Sequence, residues 1–302
     1  MISTANNRGP KPRKSLGQNF LADPKAVKKM VDAADISKAD TVLEIGPGTG
    51  VLTMALAEKA GQVIAVEKDP RMIEILKETF KEIKNVEIIH GDIIQLMAEN
   101  PKSEIRNPKQ ITNSKFKIPK HYKVVANLPF YIASPVIRQF LEAENPPQEM
   151  TLIVQKEVAQ RICAKPPRLD EPQARQAKMN LLAVSVQVYA QAKIISYISK
   201  GAFSPRPNVD AAIIKITPYF PISRPPLSPL SPLSTSRKLF FQIVKAGFSH
   251  PRKQLLNNLS SGLGITREKT AEWLIKNNID PKQRAETLSI TDWLGLAKSL
   301  PK

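Results

Sequence analysis

Residues able to do chemistry cluster in a few short stretches. In "LEIGPGTG" (43–50), Gly46, Gly48 and Gly50 alternate with other residues just behind Glu44. Such a loop omits side chains so that backbone can pack against a ligand, a plain turn being the alternative. The dinucleotide fingerprint would need glycine at 51, where Val51 stands, so hydride transfer with a nicotinamide cofactor loses support. Glu67 ends the next apolar run, 21 residues after Gly46, where a carboxylate can accept from both ribose hydroxyls. Asp92 follows in "HGDI" (90–93), placed to accept from an adenine amine. Singly, an acid at a strand end is more often a solvated turn or a helix cap. Together they form a nucleoside pocket with no phosphate-binding requirement, and S-adenosylmethionine fits it, being an adenosine whose charge is a sulfonium.

The octet "VVANLPFY" (124–131) ends an apolar strand in an amide, two apolar residues and two aromatics. One reading gives Asn127 and Pro129 to a turn and returns Phe130 and Tyr131 to the core. The other has Asn127 and the carbonyls of Leu128 or Pro129 grip an amine while Phe130 stacks on the ring that bears it. With a methyl donor in the neighbouring pocket, the octet becomes an acceptor site.

The elements that must position these residues follow from periodicity and capping. "DPKAVKKMVDAADI" reads as a helix capped by Asp23, with Pro24 in its first turn and Val27, Met30, Val31 and Ala34 on one face. Strands at "TVLEI", "QVIAVE", "VEIIH" and "KVVAN" alternate with helices at "VLTMALAEKA" and "PRMIEILKETFKEI", which predicts a parallel sheet covered on both faces. Downstream, "SPVIRQFLEA" reads as a helix, "MTLIVQKEVAQRI" as strand then helix, "LLAVSVQVYAQAKIISYI" as helix then strand, and "VDAAIIKITP" as a strand. Residues 218–236, with six prolines, read as a semi-rigid linker. Four helices behind it predict a small all-helical domain over 237–302, the α/β domain covering 1–217 with a disordered basic tract at 1–15.

Composition bounds the class. The 302 residues carry 45 Lys and Arg against 27 Asp and Glu, a net charge of +18. Its distribution is uneven: +6 over residues 1–30, −5 over 31–98 and +17 over 99–302. The acidic block coincides with the nucleoside pocket, and the basic remainder favours a polyanion partner. No apolar run approaches a membrane span or a secretory signal, so the expected location is the cytoplasm. A single cysteine, Cys163, excludes an internal disulfide framework, and His90, His121 and His250 make no zinc spacing, so no metal is expected.

At this point the sequence resembles the 16S ribosomal RNA adenine-N6 dimethyltransferases. The matching stretches are "SLGQNFL" (15–21), "LEIGPGTG", "VEKD" (66–69), "GDI" (91–93), "NLPFY" (127–131), "VQKEVAQRI" (154–162), "FSPRPNVD" (203–210) and "RKQLLNNL" (252–259). The resemblance implies a Rossmann-like S-adenosylmethionine-dependent methyltransferase sheet with a small C-terminal helical domain. It further implies that Gln18, Asn19 and Leu21 close over the donor, that Glu44, Gly46, Gly48 and Gly50 form its glycine loop, and that Glu67 and Asp92 hold ribose and adenine. Asn127, Leu128, Pro129 and Phe130 would serve the target adenine, with Asn127 also bordering the donor. Phe203, Arg206, Arg252 and Lys253 would meet RNA, and the partner would be 16S ribosomal RNA in an immature 30S subunit, met by a monomer. Two adjacent loop adenines would be dimethylated, leaving S-adenosylhomocysteine.

Two segments depart from the family's pattern: a long polar stretch over 99–121, and "KPPRLDEPQARQAKMN" (165–180) where the family tends to have a short loop with a Tyr-Gly pair. Ala211 also stands where serine is common. Two rivals bracket the reading. A 23S ribosomal RNA adenine methylase of resistance type shares the sheet and the N-x-P-aromatic loop, whereas a non-catalytic RNA-binding assembly factor would have lost the glycine loop or Asn127.

Overall fold

The computed structural model describes residues 12–13, 17–98, 118–166, 178–219 and 235–301. Most of the 1–15 tract expected to be disordered and most of the 99–121, 165–180 and 218–236 segments lie outside the described residues. Contacts divide the chain into two units, the first formed by residues 1–140, 145–156 and 193–217.

In chain order the elements as far as the last sheet strand are β1 (Phe20–Leu21), α1 (Pro24–Ala33), β2 (Thr41–Ile45), α2 (Val51–Lys59), β3 (Gln62–Glu67), α3 (Pro70–Phe80), β4 (Val86–His90), α4 (Ile93–Ala98), β5 (Lys123–Asn127), α5 (Ala133–Glu142), β6 (Glu149–Gln155), α6 (Lys156–Ile162), α7 (Leu181–Gln187), β7 (Ala190–Ile198), β8 (Phe203–Ser204) and β9 (Ala211–Pro218). Seven of the strands form one sheet in the order β4-β3-β2-β5-β6-β9-β7. From β4 to β6 the pairs are parallel, with Ile45 opposite Val66 and Asn127 opposite Ile153; β9 runs antiparallel to β6. The inner strands are buried almost without a break, Val42, Val63, Val124 and Ile153 all at 0% exposure, because helices cover both faces.

The same capping grammar starts two of the helices. Asp23 and Asp69 each cap through the side chain, accepting from the amides of Lys25 and Arg71, and a proline follows each in the first turn. Helix α1 then buries Val27, Met30 and Val31, and α3 buries Met72, Leu76 and Phe80. Strand order reverses between β2, which leads outward through β3 to β4, and β5 on its other side. Open α/β sheets place ligands at the carboxyl ends of strands beside such a reversal.

The short pair β1–β8 was not foreseen. Phe20 lies opposite Ser204 and Leu21 opposite Phe203, and Ala22 N donates to the Ala202 carbonyl at 2.8 Å, so the N-terminal segment is tied beside the main sheet.

The second unit comprises residues 141–144, 157–192 and 218–302. Its further helices are α8 (Thr235–Gly247), α9 (Leu255–Leu263), α10 (Arg267–Lys276) and α11 (Ile290–Lys298). One apolar cluster joins Ala183 and Val184 of α7 to Phe240, Leu259, Trp273 and Trp293. The boundary expected at 217 therefore differs from the contact division, because α7 presents its buried face to the C-terminal helices. Within this unit Asn258 is buried and donates through Nδ2 to the carbonyls of Gly247 and His250, at 2.7 and 3.0 Å, which fixes the turn that follows α8.

Candidate active site

At the end of β2 the chain enters the glycine loop. Gly46 has φ +69°, its N donates to the Val66 carbonyl at 2.9 Å, and a Cβ built there would meet nothing within 4 Å. Gly48 has φ +56°, and its missing side chain makes room for Phe20, whose ring lies 2.7 Å from where a Cβ would sit. Gly50 differs from both. A Cβ on it would strike Phe80 at 2.8 Å and Leu76 at 3.1 Å, and it lines no part of the cavity described below. It starts α2, and Phe80 and Leu76 of α3 occupy the space a side chain there would need.

Glu67 closes β3 and is 6% exposed. Its Oε2 accepts from Gly48 N at 3.1 Å, and its Oε1 accepts from the amides of Lys68 and Asp69, both at 2.8 Å. Burial pushes its pKa above the ordinary carboxylate value while those three N–H groups oppose the rise. Glu44 is 1% exposed, and its Oε2 lacks a hydrogen-bond partner. Burial pushes the Glu44 carboxyl up to about 8, with Thr53 offsetting part of the rise and Glu67 adding to it.

These strand ends open onto a cavity of about 250 Å³. Gly46, Glu67, Asp92 and Asn127 reach it from four neighbouring strands, and Gln18 and Asn19 reach it from the N-terminal segment. Asp92 is held in place by two contacts: Oδ1 accepts from Ile94 N at 3.0 Å, and Oδ2 pairs with Lys68 Nζ at 2.8 Å. Leu21 and Glu44 border a smaller adjoining cleft, which shares Gly46 and Asn127 with the cavity.

The N-terminal segment is fastened over this cavity by side chains that local sequence rules do not read. Gln18 Nε2 donates to Asp69 Oδ2 at 3.1 Å. The Arg71 guanidinium beside Asp69 holds that carboxyl low, at about 2, so it stays ionised. One residue on, the Asn19 carbonyl accepts from Asn127 Nδ2 at 2.9 Å.

That bond commits the amide nitrogen of Asn127 and leaves Oδ1 as the acceptor. Beyond it, Leu128 is buried, and the Pro129 carbonyl accepts from Ile132 N at 3.0 Å to close a turn. No turn or loop hydrogen bond among the described residues engages the Leu128 carbonyl. The two carbonyls are thus distinguished, Leu128 offering the freer acceptor. Proline at 129 contributes no backbone donor beside these acceptors. Phe130 lines the cavity half-buried, whereas Tyr131, which the turn reading returned to the core, is 57% exposed.

Residues 9–302 match the family model described as ribosomal RNA adenine dimethylase. A protein of Dehalococcoides mccartyi named ribosomal RNA small subunit methyltransferase A is 42% identical over 94% of this chain and 86% of its own length. One of the same name from Enterococcus faecalis is 38% identical over 96% and 90%. The chain belongs to the ribosomal RNA adenine dimethylase family.

Solved structures share the dimethylase fold. A dimethyladenosine transferase from Plasmodium falciparum superposes with a TM-score of 0.66 at 24% identity, covering 92% of this chain and 95% of its own. The 23S rRNA methyltransferase ErmE gives 0.66 at 22% identity, covering 93% and 99%.

Of the residues this dimethylase was expected to turn toward RNA, Phe203 is corrected. It is 4% exposed and packs in the core with Leu21 and Ile213, so it has no face for a base. Arg206, three residues along, is exposed. In the helical unit Arg252 and Lys253 are exposed in the turn ahead of α9, where Lys253 N donates to the His250 carbonyl at 2.9 Å. Among the described residues no helix is long and apolar enough to cross a membrane.

Proposed function

We propose that the cavity is the methyl-transfer site, with Glu67 accepting from the donor's ribose, Asp92 from its adenine amine, and Asn127 with the Leu128 carbonyl from the target N6. The chain is an S-adenosylmethionine-dependent ribosomal RNA adenine dimethyltransferase. The observation that carries the site assignment is the convergence on one cavity of Gly46, Glu67, Asp92 and Asn127, beside the reversal of strand order. The donor fits these residues. Open space faces Gly46, two carboxylates stand at adjacent strand ends, and no side chain of the loop intrudes. Bound there, S-adenosylmethionine supplies an electrophilic methyl group.

The residues do the rest by alignment. Adenine N6 is a poor nucleophile because its lone pair is shared with the ring. Asn127 Oδ1 and the Leu128 carbonyl accept its two N–H bonds and turn the lone pair toward the methyl. Phe130 stacks on the ring of the flipped base, and an unpaired loop adenine costs least to flip. With the donor bound, its methyl carbon would pass from sulfur to N6, and the proton that N6 then sheds would go to water. Proximity of this kind contributes on the order of 7–11 kcal/mol.

The substrate proposed is small-subunit RNA in an immature 30S particle, met by a monomer in the cytoplasm. The names of the relatives at 37–42% identity support the small subunit over the 23S alternative, since the likeness to ErmE is one of fold. Intact Asn127 and glycine loop speak against a purely binding role. Transfer of label from S-adenosylmethionine to adenine of unmodified 30S particles tests the reading.

A further inference from the structure

Tyr131 has no part in the chemistry above, yet it lines the cavity with its side chain 57% exposed. Single exposed aromatics are common and need no explanation. This one is held in place. Gly17, at φ +58°, runs against the ring so closely that a Cβ there would lie 3.2 Å from both Cδ1 and Cε1. Glycine at 17 is what lets the backbone approach, and the turn from Pro129 to Ile132 fixes the chain on the other side. Lys68, whose ammonium pairs with Asp92 at 2.8 Å, lines the same cavity.

An RNA strand that delivers one base beside Phe130 leaves the next base outside without its stacking partner. An aromatic face at the rim replaces that partner, and such stacking is tolerant of sequence because every base has a π-face. We propose that Tyr131 is a specificity-determining residue whose exposed face stacks on the base adjoining the target adenine, favouring unpaired RNA in which that neighbour is present. The proposal rests on the reading of the cavity as an adenine-N6 site.

The test compares wild type, Tyr131→Phe and Tyr131→Leu on unmodified 30S particles, and on particles reconstituted with an abasic nucleotide beside the target. Tyr131→Leu keeps an apolar side chain against Gly17 but has no ring. KM for intact particles should rise about tenfold in Tyr131→Leu, the effect of one base–aromatic stack, and stay near wild type in Tyr131→Phe. The Kd for S-adenosylmethionine should stay within about twofold, and on the abasic particles the difference between the proteins should vanish. An unchanged KM in Tyr131→Leu, a penalty that persists on abasic particles, or loss of donor binding would each overturn the stacking role. Failure of the wild type to methylate adenine in intact particles would instead overturn the underlying reading of the site.

Discussion

Asn127 Nδ2 donates to the backbone carbonyl of Asn19 at 2.9 Å, across 108 residues of chain. The residue that ends β5, and that the proposal sets against the target amine, thereby also secures the N-terminal segment at the cavity. Asn127→Ala should lower kcat on the order of 100-fold through loss of one positioned polar group. It should weaken S-adenosylmethionine only about fivefold, the effect of one hydrogen bond. Steady-state kinetics beside calorimetric titration of the donor separates the two effects; comparable losses in both would break the assignment of Asn127 to the target.

The three glycines of the loop should respond differently to alanine. At Gly46 the new methyl enters open cavity space, so donor affinity should fall at least tenfold, with a stability loss of about 1–2 kcal/mol from the left-handed backbone. At Gly48 the Cβ meets Phe20 at 2.7 Å, and both affinity and stability should drop. At Gly50 the Cβ meets Phe80 and Leu76 in the core, so Tm should fall while the folded protein binds donor normally. Thermal melts paired with donor titrations read all three.

Glu44 supplies a pH dependence. Its folded value of about 8 lies above the unfolded value near 4.5, so the folded state retains a proton that the unfolded state releases. Stability is therefore unpenalised below the unfolded value and declines as pH rises through the window to about 8. Glu44→Gln has no such proton to lose. Its Tm relative to wild type should rise between pH 5 and pH 8, and a pH-independent difference would contradict the raised value of the buried carboxyl.

Gln18 fastens the N-terminal segment to Asp69, whose carboxyl the neighbouring Arg71 keeps ionised to about pH 2. Gln18→Ala should raise the donor dissociation rate about fivefold without altering Tm, as expected for one half-buried hydrogen bond. Stopped-flow displacement of S-adenosylhomocysteine measures it, and an unchanged rate would show that the segment does not retain the donor.

Phe203, in β8, is buried, and Arg206, in the loop behind it, is exposed. Phe203→Ala should cost about 3–5 kcal/mol of stability, as for other buried aromatics. Arg206→Ala should leave Tm alone, weaken RNA binding and reduce its salt slope by about one. A salt titration of particle binding by each variant distinguishes packing from phosphate contact.

Much of this architecture was legible in local sequence. The Asp-Pro cap at 23–24, the buried strands and the acids at their ends obey rules that span a few residues. What escaped depends on partners far along the chain. Two-residue β1 has no period to read, and only its pairing with Phe203 reveals that the aromatic is spent on packing. Gly50 sits in the loop's alternation but answers to Phe80 on another helix. The apolar face of α7 looked like part of the sheet domain until its cluster with Phe240 and Trp273 was seen. Tyr131 follows three apolar or aromatic positions, Leu128, Pro129 and Phe130, so its exposure could not be inferred from pattern.

The most direct test incubates the protein with labelled S-adenosylmethionine and unmodified 30S particles, digests the RNA and separates the nucleosides. The account predicts label in N6,N6-dimethyladenosine from small-subunit RNA, lost in Asn127→Ala. Label acquired only with 23S RNA, or RNA binding with no label at all, would contradict it.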